Sequence, residues 1–514
     1  MGSLEQQETR NWVHGFGLIA GPLLAGLAAW IIPQFEVAAN FEPFPLQAMA
    51  AVATLMAIWW ITEAIPLAAT ALLPLVLFPA LHLLPIDQVA AHYGNRLIFL
   101  FLGGFVVALA IEETGLHRRV ALTIVSWVGD QPRRLVAGFM LATAILSMWL
   151  SNTATALMLL PIASSVLSQI EKLSETQEIE EALARRQRHF GVCLMLGIAY
   201  AASIGGFSTL IGTPPNVAYR GIFHEEFPHL PEASFAGWML FALPLAFTLL
   251  LGTWWLLTVV LFPVGSESFL GGQTVIKEEK EKLGPLRSAE GLMLFVFFLT
   301  AGLWVFREPT PDWGWAPLLG LDEMTLGGKQ VRLVDDSAVA IAMAVLCFLL
   351  PKGTNFREPL LPWNATKRLP WGILILFGGG LALAAGMKES GLAALLGDQL
   401  ALAMKGQSPI VRTFSTAAGM TLITELSSNL ASVQMMLPIL AETSRILEAD
   451  PQKLMIPATL AASCAFMLPV ATPPNAIVYS SGRVSIRQMV FAGIWVNLIG
   501  TLLITLFVSI SGFG

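Results

Sequence analysis

Apolar residues run almost unbroken through most of this chain, so the informative positions are those where polar residues interrupt them. Residues 135–170 form one apolar run, broken by Ser151-Asn152-Thr153-Ala154-Thr155. At 1.5 Å per residue, the stretch before this break makes a helix of only ~24 Å. That is short of a ~30 Å hydrocarbon core, so neither half reads as a full span. Arg133, Arg134 and Lys172 flank the run, and basic flanks favour the cytoplasmic side. The pattern predicts a re-entrant hairpin: two half-helices that enter from the cytoplasm and meet at a polar tip near mid-membrane. Such a tip presents helix-terminal amides and carbonyls as ion ligands. The alternative is one long tilted span whose hydroxyls bond to their own turn.

A second copy decides between them. Ser427-Ser428-Asn429-Leu430-Ala431 interrupts another apolar run, 277 residues after the first. Pro161 follows Asn152, and Pro438 follows Asn429, at the same spacing. Each copy leads to the same tetrapeptide, Thr213-Pro214-Pro215-Asn216 and Thr472-Pro473-Pro474-Asn475. Each follows a Gly-rich apolar helix, at Gly103-Gly104 and Gly378-Gly379, and then Glu-Thr-Gly-Leu or Glu-Ser-Gly-Leu. Matched landmarks in one order make an internal repeat.

In order, the pattern predicts spans at 15–32, 46–61 and 59–81, a short interfacial helix at 85–93 and a span at 97–110. Residues 117–131 read as an amphipathic cytoplasmic arm. After the first hairpin, 171–188 is a charged, helix-prone insert, followed by 191–222 broken at Gly205-Gly206 and Thr213-Pro214-Pro215. Proline removes a backbone donor, so an unwound segment is expected there. Spans at 235–262, 291–305, 337–350 and 371–387 follow, then the second hairpin at 409–441. The chain closes with 454–479, broken at Thr472-Pro473-Pro474, and 489–507. The fold class is therefore all-α and polytopic, with about eleven transmembrane helices plus two re-entrant hairpins in an inverted repeat. Five spans separate the hairpins, and an odd number inverts the second relative to the first. Glu63, at the junction of the second and third spans, reads as a structural or helix-starting residue near the interface rather than a buried functional carboxylate.

Composition agrees. Of 514 residues, 55% are hydrophobic and only 12% charged, about half the soluble norm. The net charge of −6 matters less than its distribution. With the N-terminus inside, cytoplasmic loops collect Arg118, Arg119, Arg133, Arg134, Lys172, Arg185, Arg186, Arg188, Lys277, Lys280, Lys282 and Arg287, among others. The opposite side holds fewer cations, including Arg96, Arg220, Arg307, Lys388 and Arg445. This places the N-terminus in the cytoplasm and the C-terminus outside, in a plasma (inner) membrane protein without a removable signal peptide. Cys193, Cys347 and Cys464 lie far apart in apolar segments and read as reduced packing residues.

Two symmetric clusters should meet near the midplane. No Lys, Arg or His lies in either tip or Pro-Pro break, so an anion there must use Asn amides, hydroxyls and half-helix N–H groups. Bound cations would add the missing positive charge and link anion affinity to cation binding. An all-oxygen ligand set suits a hard ion such as Na⁺.

The Ser-Asn-Thr-Ala-Thr motif, its degenerate copy, the paired Thr-Pro-Pro-Asn motifs and Trp-Trp-Ile-Thr-Glu-Ala-Ile-Pro-Leu (59–67) resemble the divalent anion/sodium symporter family from about residue 45 onward. The resemblance implies a secondary transporter of di- or tricarboxylates, or in one branch sulfate. It implies Na⁺ ions as the coupling species, a homodimer and an elevator-type transport domain. By that resemblance, 1–134 and 286–387 form the scaffold, while 135–263 and 409–514 form the transport domain. One sodium site would use Ser147, Ser151, Asn152 and Gly212, the other Thr424, Ser427, Asn429 and Ala471. Substrate would meet Ser151, Asn152, Thr153, Thr213, Pro214, Ser428, Asn429, Thr472 and Pro473. Leu430 stands where many members carry Thr, which puts one substrate hydroxyl in question. The expected partners are a small di- or tricarboxylate anion and membrane lipid, with no nucleic acid.

Sodium-coupled uptake of C4-dicarboxylates is the leading reading. A sodium-independent exchanger, and citrate or sulfate transport, are the alternatives. An intramembrane hydrolase would need a His-Glu-x-x-His, paired intramembrane aspartates or a Gly-x-Ser-x-Gly in a span, and the sequence has none.

Overall fold

The computed structural model describes residues 2–34, 41–175, 181–265, 272–308, 313–321, 323–326, 329–353 and 358–511. It is helical almost throughout. The first half opens with α1 (Gly2–Ile31), α2 (Pro43–Thr62), α3 (Leu67–Thr70), α4 (Leu73–Ala80), α5 (Ile86–Tyr93), α6 (Arg96–Thr114) and α7 (Leu116–Ser126). It continues with α8 (Pro132–Ser147), α9 (Asn152–Glu175), α10 (Glu181–Gly206), α11 (Pro214–Glu226) and α12 (Phe235–Trp255), whose last turns become π-helical over Leu256–Leu261. The connecting helix α13 (Gly272–Lys282) leads to α14 (Ser288–Val305), α15 (Trp315–Leu318) and α16 (Asp336–Leu349). The second half then runs through α17 (Trp371–Glu389), α18 (Leu392–Met404), α19 (Pro409–Thr424), α20 (Asn429–Ile446), α21 (Gln452–Ala462), α22 (Pro473–Ser480) and α23 (Ile486–Ile510). Among the described residues, nine helical stretches are long and apolar enough to cross a membrane, and three more are apolar but shorter.

The predicted interruptions are real breaks. The first hairpin splits between Ser147 and Asn152, and the second between Thr424 and Asn429. The first broken helix stops at Gly206 as expected, whereas the second stops already at Ala462, ahead of the expected break at Thr472; both restart at the Pro-Pro pair, with proline at the first helical positions, where a missing N–H costs nothing. Gly115 and Gly391 both adopt φ of 79°, so the two Glu-x-Gly-Leu landmarks are matched left-handed turns between consecutive helices. The Gly-rich helices exist for close packing. A Cβ on Gly103 would lie 2.5 Å from the Ala340 backbone, and one on Gly379 2.2 Å from the Ala71 carbonyl oxygen.

Two expectations are corrected, and one small element is added. The span at 59–81 is two short helices, α3 and α4, because Pro66 and Pro74 interrupt the backbone ladder. Glu63 does not start a helix: it is exposed, with φ of 48°, and ends α2. A two-stranded hairpin, Glu323–Leu326 with Lys329–Arg332, adds a small piece of antiparallel sheet. Residues 176–180 of the charged insert lie outside the described residues.

The two halves interlock. The second arm of the first broken helix, α11, packs on α20 and α21, and its counterpart α22 packs on α9 and α10. Each half-helix that begins at Thr-Pro-Pro therefore lies against the other half's hairpin.

Candidate functional site

The first tip is built from neighbouring oxygens. The Ser147 hydroxyl donates to Asn152 Oδ1 at 2.7 Å, closing the hairpin across its turn. Ser151 Oγ accepts from the Ala154 amide at 3.2 Å and so caps α9. The unwound segment between α10 and α11 folds onto this tip. Thr209 Oγ1 donates to the Met148 carbonyl at 2.6 Å and accepts from the Gly212 amide at 3.0 Å. A Cβ on Gly206 would sit 2.5 Å from Asn152 Oδ1, and one on Gly212 2.3 Å from the Gly206 carbonyl oxygen. The glycines therefore permit backbone oxygens to crowd around Asn152.

The second tip repeats this. Thr424 Oγ1 lies 2.7 Å from Asn429 Oδ1 and 2.8 Å from the Ala462 carbonyl oxygen. One hydroxyl proton faces two acceptors, and a bound cation would relieve that excess of lone pairs. Oxygen atoms of hydroxyl, amide and carbonyl type dominate both tips, a donor set that fits Na⁺. Asn216 and Asn475 play a different part. Asn216 Nδ2 donates to the Phe207 and Thr209 carbonyls at 3.2 and 2.7 Å. Asn475 Nδ2 donates to the Ala465 and Leu468 carbonyls, both at 3.0 Å. Each staples its unwound segment, satisfying carbonyls the proline breaks release.

The structure brings Ser147, Ser151, Asn152 and Gly212 together, and likewise Thr424 and Asn429. Thr213 and Thr472 are both buried at the starts of α11 and α22. Thr472 Oγ1 accepts from the Asn475 amide at 3.4 Å, whereas Thr213 makes no such cap. Thr153, Pro214 and Ser428 are partly buried, Pro473 is exposed, and Ala471 is buried. Ser427 is turned away from the Thr424–Asn429 pair. Its hydroxyl donates to the Ile423 carbonyl at 2.9 Å and meets Ser432 Oγ at 2.6 Å. The repeat aligns Ser428, not Ser427, with Ser151. Leu430 is buried at the start of α20.

Sequence reasoning missed Glu425. This carboxylate is 3% exposed and accepts from the amides of Phe466, Met467 and Leu468 at 2.8, 2.9 and 3.2 Å. Asn497 Nδ2 of α23 adds a fourth donor at 2.7 Å. The signal was present: a lone ionisable residue beside an apolar hairpin tip marks function or a tight internal partner. The repeat places Met148 at the equivalent position.

Two hairpins, two broken helices and oxygen-lined tips shared between repeated halves define a membrane transporter. A family model for the sodium:sulfate symporter transmembrane region matches residues 19–512. The chain belongs to this family. The sodium-dependent dicarboxylate transporter SdcS of Staphylococcus aureus is 42% identical over 493 residues, covering 96% of this chain and 90% of the relative. Two solved structures share the fold at low identity. The YdaH transporter of Alcanivorax borkumensis aligns with a TM-score of 0.55 at 14% identity, over 89% of this chain and 98% of its own. MtrF of Neisseria gonorrhoeae aligns with a TM-score of 0.56 at 12% identity, over 92% and 97%.

Proposed function

We propose that this chain couples the inward movement of Na⁺ to uptake of C4-dicarboxylates such as succinate, malate and fumarate. The observation that carries this reading is the pair of oxygen-rich tips, each assembled without a cationic side chain. A dianion held only by neutral donors gains from Na⁺ at the flanking oxygens, so each ligand raises the other's affinity by the same factor. One Na⁺ is assigned to Ser147, Ser151, Asn152 and Gly212, the other to Thr424, Asn429, Ala471 and Ser428. Asn152, Thr153, Thr213, Asn429 and Thr472 are assigned to the carboxylates. The high identity to a sodium-dependent dicarboxylate transporter supports both substrate class and ion.

In this reading, residues 135–263 and 409–514 move as one transport domain against a scaffold of 1–134 and 286–387, in an elevator-type cycle. The scaffold pairs with a second copy in a homodimer of the plasma membrane, with the N-terminus cytoplasmic and the C-terminus outside. Counterflow of labelled succinate in liposomes, with Na⁺ or choline at constant ionic strength, tests the function. Uptake that requires Na⁺ and resists competition by sulfate and citrate is expected. Equal uptake in choline would establish sodium-independent exchange instead.

A further inference from the structure

The ion pairs of this molecule divide by position. At the end predicted to face outward, they join the two proposed domains. Arg220 of α11 pairs with Asp336 of α16 at 2.6 Å. Arg96 of α6 pairs with Glu232, in the loop before α12, at 2.7 Å. Lys388, in the last turn of α17 at the edge of the scaffold, reaches Glu226 of α11 at 3.3 Å. At the opposite end, Arg118–Glu279 links scaffold and connector, Arg119–Glu290 and Arg368–Glu113 stay within the scaffold, and Arg483–Glu171 stays within the transport domain.

The bridging charges share a second property. Each of four has a partner inside its own domain as well. Arg220 also holds Glu232 at 3.0 Å, and Asp336 also holds Arg307 at 2.7 Å. Arg96 also holds Asp335 at 3.0 Å, and Glu226 also holds Arg445 at 2.8 Å. Arg220, Arg307 and Asp336 are at most 2% exposed. Stranding one buried charge is strongly unfavourable, whereas exchanging one partner for another is not. The loop carboxylate Glu232 is strongly burdened by burial, yet the His224 hydrogen bond and the Arg220 and Arg96 charges hold it well below the usual range. It therefore stays ionised through the physiological range.

We propose that these pairs form a reversible latch between transport domain and scaffold on the outward side, with the intra-domain partners holding each charge when the latch is open. The latch rests on the two-domain reading above. Separation would leave Arg220 with Glu232, Asp336 with Arg307, Arg96 with Asp335 and Glu226 with Arg445. The aromatic contact beneath fits a seated surface. Trp149 at the first tip lies 4.9 Å from Phe297 and 6.5 Å from Trp304 of α14, and Trp304 Nε1 donates to the Asp336 carbonyl at 2.9 Å.

Two classes of variant should move in opposite directions, which a merely structural role would not produce. Asp336→Asn removes the bridge and should open the latch. Arg307→Gln leaves Asp336 dependent on Arg220 and should tighten it. The readout is a Thr300→Cys probe. Thr300 is buried in α14 and lines a small cavity with Trp149 and Ile211, across the domain boundary. In full-length protein in liposomes without substrate, an impermeant thiol reagent added outside should label the probe about tenfold faster with Asp336→Asn and slower with Arg307→Gln. Lys388→Gln and Arg445→Gln, on the more exposed pair, should repeat the opposition at about threefold, covering any failure of the buried variants to fold. Arg483→Gln, within one domain, should leave labelling unchanged. Folded variants that label at the parental rate, or that all shift one way, would overturn the latch. Labelling needs no succinate, so loss of sodium-driven uptake alone would count against the proposed substrate and not the latch.

Discussion

At the first tip, Ser151 caps α9 and Trp149 stacks among Phe235, Phe297 and Trp304. At the second, Ser428 provides no side-chain cap, and Leu426, in Trp149's place, is 66% exposed. The neighbouring position differs as sharply. Met148 offers the first unwound segment a carbonyl, whereas Glu425 holds the second by a carboxylate bound to three amides and Asn497. One landmark pattern thus supports two electrostatic environments. The second tip holds a buried carboxyl group, and part of its free backbone donation is already satisfied by that group. It suits a cation better than an anion. The first tip keeps its Thr153 hydroxyl, where the second has Leu430. Under the proposed function, the second tip should therefore weigh more in sodium binding and the first more in substrate binding.

The largest effects test the tips themselves. Asn152→Ala and Asn429→Ala should each abolish uptake in folded protein. Lost hydrogen bonds to charged partners are worth ~1.5–3 kcal/mol, so calorimetric affinity should fall at least about tenfold. Equal losses of sodium and succinate affinity in both variants would erase the proposed division of labour.

Glu425→Gln comes next. A carboxylate beside a cation site favours the bound cation, so the sodium half-saturation concentration should rise several-fold. Met148→Leu should leave it unchanged, because its contribution is a backbone carbonyl. A Glu425→Gln protein with wild-type sodium dependence would mean that the carboxylate serves only to hold the backbone.

Both threonines are assigned to the carboxylates, so the valine variants of both should lose succinate affinity, but only Thr472 also caps a helix. Thr472→Val removes the α22 cap and should cost about 1 kcal/mol in thermal unfolding. Thr213→Val removes no cap, so its cost should appear in succinate affinity with the melting temperature unchanged. Leu430→Thr is the smallest change. It should alter the ranking of succinate, citrate and sulfate in competition assays while sodium dependence stays put.

Much of this was legible in the chain. Breaks at Ser151–Asn152 and Ser428–Asn429, and restarts at both Thr-Pro-Pro motifs, followed from polar interruptions of apolar runs and from proline's missing donor. These are local causes, readable within a few residues, and the internal repeat, offset by 277 residues at the tips and 259 at the Thr-Pro-Pro motifs, confirmed each by its copy. The division of 59–81 into α3 and α4 was also local, but its apolar composition masked the prolines.

What tertiary structure alone decided involves partners distant in sequence. That Ser427 turns from the Thr424–Asn429 pair depends on Ser432 and Ile423. That Asn216 and Asn475 staple loops depends on how each unwound segment folds back. Arg220, Asp336, Arg307 and Glu232 read along the chain as scattered loop charges, and only packing buries them in one network. Hydropathy and proline act where they stand in the sequence. A charge or a hydroxyl acts through whatever the fold sets beside it, and that is settled only when helices from both halves have closed around it.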